Sequence, residues 1–130
     1  LALDAAANGF PRPRFTSAWL RDVPGLRESY VLSRNGEIEG FATWRACREG
    51  IKIGPVVAPD TGAALALLGH IAAEQPAGPH IIDVPETNRP LRKELEAAGF
   101  TVPFVTARMY RGAVPEQTEA LHASATMELG

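Results

Sequence analysis

Apolar and polar residues alternate through 28–34 (ESYVLSR) and again through 37–47 (EIEGFATWRAC), with Asn35-Gly36 standing between the two runs. Alternation turns one face of a strand toward a core, and Asn-Gly readily accepts the positive φ angles of a two-residue turn, so this stretch predicts a β-hairpin. A second turn over 48–50 leads into IKIGPVVAP, residues 51–59, whose β-branched residues, together with Gly54, Pro55 and Pro59, suit a buried strand that stops sharply. The first half of the chain therefore reads as three sequential antiparallel strands in a meander.

The period changes at Thr61. Leu65, Leu68 and Ala72 recur at helical spacing, Leu67 and Ile71 widen the stripe, and Asp60 or Thr61 can cap the first amides. A strand that runs straight into a helix presents free N–H groups at the positive end of the helix dipole, which is where an α/β domain can hold an anion. Beyond a loop, HIIDV (80–84) predicts a short apolar strand with one acid, Asp83, inside it. Leu91, Leu95 and Ala98 then share a helix face opposite Arg92, Lys93, Glu94 and Glu96, and Gly99 suits a left-handed cap with Phe100 packing back. Residues 101–111 alternate through Val102, Phe104, Thr106, Arg108 and Tyr110 and predict a further strand, with Pro103 marking an edge or a bulge. The tail alternates Ala123, Ala125 and Met127 against Ser124 and Thr126 as a last strand, although its composition also suits helix or disorder. Upstream, a helical turn before Gly9, a PRPR bend and a short helix capped by Thr16 or Ser17 complete the order. One domain results: N-terminal helices over 1–27, a core over 28–112, and a tail or last strand over 113–130.

At 130 residues and 45% hydrophobic, the chain suits a single core. The net charge of -2 and scattered Lys and Arg argue against nucleic-acid or anionic-membrane partners. With one cysteine, Cys47, and three widely spaced histidines there is neither a disulfide nor metal-ligand spacing. No apolar run reaches the ~20 residues of a membrane span, and no export signal is present, so a cytoplasmic location is expected. The first residue, Leu1, suggests a piece of a longer chain.

The element order, together with Asn88, Leu91, Leu95, Gly99 and Phe100 at the spacing N-x-x-A-x-x-x-Y-x-x-x-G-F, resembles the GNAT superfamily of N-acetyltransferases. GPVVAPD, IIDVP, LEAAGF and RMYRG look more like the C-terminal acetyltransferase-like domain of two-domain members. The resemblance implies an α/β (α+β) fold, with a splayed, mixed and mostly antiparallel sheet flanked by helices. It also implies acetyl-CoA as the cofactor, its pantetheine arm along Gly54, Pro55, Val56 and Val57 with Asn88 nearby, and transfer of acetyl to a small-molecule or peptide amine. An upstream GNAT domain or a homodimer is the implied partner.

Two features depart from the family pattern. Superfamily members place an Arg/Gln-x-x-Gly-x-Gly/Ala loop before the central helix, because glycines let amides close on a pyrophosphate, whereas Pro59, Asp60 and Thr61 leave only Gly62 here. Leu95 stands where many members carry a proton-donating tyrosine, and leucine has no proton to donate. Asp83 is the candidate base or substrate anchor, its plainer role being to cap a turn. Tyr110 is the candidate replacement acid, its plainer role being packing. Asn88 reads most simply as a helix cap, His70 as a favourable charge late in a helix, Cys47 as a small buried residue, and Trp19 and Trp44 as core. Three function classes follow: an acetyl-CoA-dependent N-acetyltransferase, a non-catalytic GNAT-like domain completing a partner's cleft, and an unrelated ligand-binding α/β domain.

Overall fold

In the computed structural model, which describes residues 1–127, the hairpin forms as β1 (Arg27–Arg34) and β2 (Glu37–Ala46). Asn35 at φ 53° and Gly36 at φ 83° make the turn, and pairs such as Tyr30↔Ala42 and Val31↔Phe41 fix the register. β3 (Ile51–Val57) pairs antiparallel with β2 and is buried along its whole length, as expected of a central strand covered on both faces. α3 (Thr61–Glu74) crosses over the sheet and returns the chain as β4 (His80–Ile82), parallel to the first half of β3. The sheet order is β1-β2-β3-β4, and β5 (Leu121–Ala123) joins the second half of β3. This is an α/β arrangement on a mixed, mostly antiparallel sheet.

The two faces follow from strand parity on β2, and on β3 from an alternation that slips by one residue between Ile53 and Val56, where the register with β2 shifts. Ala42, Trp44, Ile51, Ile53 and Val56 point to the side covered by α3 and α4 (Arg89–Ala97), where Leu67, Leu68, Ile71, Leu91 and Leu95 complete the main core. Phe41, next to Ala42, and Val57, next to Val56, meet Leu121 and Ala7 of α1 (Ala2–Asn8) on the other face. On that side Asp4 ties α1 to α2 (Pro13–Trp19). Its buried carboxylate accepts two bonds from Arg12 at 2.9 Å and one from Thr16 Oγ at 2.8 Å. Both predicted acidic or amide caps form: Asp60 accepts from the Ala63 N–H at 2.8 Å, and Asn88 from the Leu91 N–H at 3.3 Å. Gly99, at φ 98°, ends α4.

Several expectations change. α2 starts at Pro13, inside the predicted bend, because proline's fixed φ and missing N–H suit the first helical position. Ala98 is exposed, since α4 ends one residue before it. Trp44 is core, but Trp19 is only half-buried and donates its Nε1 to the Gly54 carbonyl at 3.0 Å. His70 meets Tyr30 edge to face at 4.7 Å. Residues 101–111 form no strand: they are exposed, and among the described residues the backbone of 101–110 makes no backbone hydrogen bond. Alternation signals a strand only where an edge is available to pair with. The last strand does form but covers Leu121–Ala123, Met127 is exposed, and the end of the predicted tail, 128–130, lies outside the described residues. Among the described residues no helix is long and apolar enough to cross a membrane.

Candidate functional site

β3 has two neighbours in succession on one edge. Ile51, Lys52 and Ile53 pair with β4, after which the two strands part and β5 enters the fork, with Val56 opposite Ala123 and Val57 opposite Leu121. The Ala58 N–H extends this ladder to the Ala120 carbonyl at 3.0 Å. On the far side the Ser124 N–H donates to the Asp83 carbonyl at 2.9 Å, so the tail is held to both arms of the fork. Gly54 permits the close approach, because a β-carbon there would lie 2.1 Å from the Ser124 carbonyl oxygen.

Asn88 closes the fork at the start of α4. Its Nδ2 lies 3.3 Å from the Glu119 carbonyl, 3.2 Å from that of Leu121 and 2.9 Å from His122 Nδ1, while its Oδ1 caps the helix. His122 is buried and in this arrangement offers Nδ1 as the acceptor. Burial pushes its pKa down, opposed by the Ala58 backbone and the charge of Asp60.

Gly54, Pro55, Val56, Val57 and Asn88, the positions that the resemblance assigns to a pantetheine arm, thus all lie at the fork. Val56, Val57 and Asn88 bond to residues 119–123, and Gly54 is packed by Ser124. With the other edge of Val56 and Val57 given to β2, no unpaired strand edge remains there for an extended arm. At the adjoining helix end, the Asp60 carboxylate takes the Ala63 amide and puts negative charge where a pyrophosphate would sit. The groups present do not fit coenzyme A in this arrangement. Two shallow surface hollows lie outside the fork, one lined by Glu86, Arg89, Arg92, Lys93 and Glu96 and the other by α1, Pro11, Arg12, Pro13 and Thr16.

Asp83, just past β4, forms an ion pair with Lys52 of β3, whose ammonium is buried. Lys52 pairs in register with Ile81, two residues before Asp83, so both charged side chains project from the same face. Tyr110 is exposed, on the unpaired loop, and its hydroxyl lies 3.4 Å from Arg108 Nη1. Arg108 Nη2 donates to Ser124 Oγ at 2.7 Å, so a chain of contacts runs from Tyr110 through Arg108 and Ser124 to Asp83. Leu95 is buried among the apolar residues of α4 and the sheet.

Sequence reasoning passed over Lys52, Arg108, His122 and Ser124. A signal for the first was present: one cation inside the apolar run 51–57 and one acid inside 80–84 are expected to meet if the two strands are neighbours. For the tail residues no local signal distinguishes a strand that inserts into a fork from one added at an edge.

Comparison with known proteins places this geometry in context. The family model described as acetyltransferase (GNAT) domain matches residues 1–123. A holothin acyltransferase from Pseudoalteromonas sp. (strain SANK 73390) is 26% identical over 132 residues, covering 100% of this chain and 44% of that protein. The chain therefore spans less than half the length of the curated relative it matches.

Proposed function

Because the chain belongs to the acetyltransferase (GNAT) domain family, we propose that it forms one half of an acyltransferase that moves an acetyl group from acetyl-CoA to an amine. In this reading a second domain holds the thioester, and this half completes the acceptor side of the cleft. Acyl transfer as the general chemistry is supported by both the family and the relative. The observation that carries the division of labour is the strand Leu121–Ala123, which takes the edge of Val56 and Val57 while Asn88 grips the carbonyls around it.

Asp83 and Tyr110 are the proposed acceptor-side residues. The contact chain through Arg108 and Ser124 links the Tyr110 hydroxyl to the backbone carbonyl of Asp83, whose carboxylate faces the Lys52 ammonium; in this reading that carboxylate also anchors the acceptor amine and the phenol donates a hydrogen bond. In the native gene product, Asp83→Asn and Tyr110→Phe are each expected to lower acyl transfer on the order of tenfold or more if the residues touch the acceptor. Unchanged rates in both variants would remove these assignments.

The division of labour is tested by titrating coenzyme A into residues 1–130 in a calorimeter. Weak or undetectable heat is expected. Tight binding would overturn the reading and favour a complete acetyltransferase in this chain alone.

A further inference from the structure

Residues 101–110 have the composition of a strand without the structure of one. They hold valine, threonine, phenylalanine and tyrosine in quantity, contain no acid, and make no backbone hydrogen bond among the described residues. Ten residues in extended form reach roughly 33 Å, the length of a long strand. The segment is fixed at one end rather than trailing: Arg108 bonds Ser124 Oγ at 2.7 Å, and past the loop the Thr118 N–H bonds the Ala7 carbonyl at 3.0 Å. Arg108 reaches back to this domain, and Tyr110 contacts it through Arg108. Val105 and Met109 are the most exposed large apolar residues described, at 82% and 88%, with Phe104 at 62% beside them. A row of free N–H and C=O groups flanked by outward apolar side chains is a template for pairing with another sheet edge.

We infer that 101–110 is a docking strand for the second acyltransferase domain of the same polypeptide, adding to an edge of that domain's sheet with Val105 and Met109 as apolar anchors. The curated relative contains more than twice the length matched here, which leaves room for such a domain. Pro103, lacking an N–H, restricts full pairing to the part of the segment from Phe104 onward. Arg111, exposed and with no acid between 101 and 114 to pair with it in sequence, favours an acidic rim on the partner edge. The inference rests on the reading that a second domain holds the thioester.

Hydrogen–deuterium exchange, followed by mass spectrometry, on residues 1–130 and on the native gene product tests it. Amides of 104–110 are expected to exchange without protection in the shorter chain and at least about tenfold more slowly in the native product. Val105→Asp and Met109→Lys, both at exposed positions that leave this domain's core untouched, are expected to abolish that protection while amides of β1 to β3 stay protected. Equal exchange in the two proteins would overturn the docking strand. So would protection in residues 1–130 that rises with concentration alongside a dimer in sedimentation, because the occupant would then be a second copy. Coenzyme A binding by residues 1–130 would instead sink the division of labour, whatever the exchange pattern.

Discussion

The side-chain amide of Asn88 donates to the carbonyl of Leu121 at 3.2 Å while its own oxygen caps α4 through the Leu91 N–H at 3.3 Å. One side chain thereby starts a helix and fastens the last strand of the sheet. Asn88→Ala is expected to cost about 2–3 kcal/mol, a lost cap plus buried carbonyls left without their donor. Urea unfolding measures the total. Asn88→Asp keeps the cap but loses the donor, so if the strand attachment matters it should recover only part of the stability and leave β5 amides exchanging faster.

Asp83→Asn leaves the buried Lys52 ammonium without its counter-charge. Breaking a buried pair from one side is typically worth ~3–5 kcal/mol, and the partial exposure of Asp83, 17%, argues for the lower end. The double variant Lys52→Met with Asp83→Asn is expected to regain most of the loss. Denaturation midpoints of the three variants decide the matter, and a double variant as unstable as Asp83→Asn would show that charge pairing is not the cause. An activity loss in Asp83→Asn must therefore be read beside its stability.

Acid should weaken the fold in two steps. Burial lowers the His122 pKa, so the unfolded histidine takes up its proton first; stability is full above about 6.5 and falls as the pH drops from there through the lower folded value. For Asp4, burial alone would raise the pKa, but the hydrogen bonds from Arg12 and Thr16 and the charge of Arg12 outweigh it and hold it low. Its contribution is complete above about 3.9 and is lost as the pH falls through the lower folded value. Unfolding free energies measured from pH 8 to 3 should lose the first step in His122→Gln and the second in Asp4→Asn.

The turn of the hairpin depends on Gly36 at φ 83°. A β-carbon there meets no neighbouring atom within 4 Å, so the penalty for Gly36→Val is conformational rather than steric crowding. It should amount to on the order of 1 kcal/mol or more, with β-branching adding to the strain of a positive φ. Thermal melting checks it: no change in midpoint would mean that the turn relaxes to another type.

The hairpin, the buried central strand, the crossover helix and the caps at Asp60 and Asn88 were legible because each is written in neighbouring residues. Asn35-Gly36 sets φ angles, the apolar run 51–57 sets burial, and a carboxylate or amide three positions before a free N–H sets a cap. The fate of 101–127 was not legible in that way. Val102 to Tyr110 and Leu121 to Ala123 both read as strand, yet only the second pairs, because a strand exists through the hydrogen bonds of an edge contributed by residues far away in sequence. The fork between β3 and β4 offers such an edge at Val56 and Val57, and its geometry depends on where α3 sets β4 down. The meeting of Lys52 with Asp83 and of Asn88 with His122 has the same origin: long-range register, which local chemistry constrains but cannot choose.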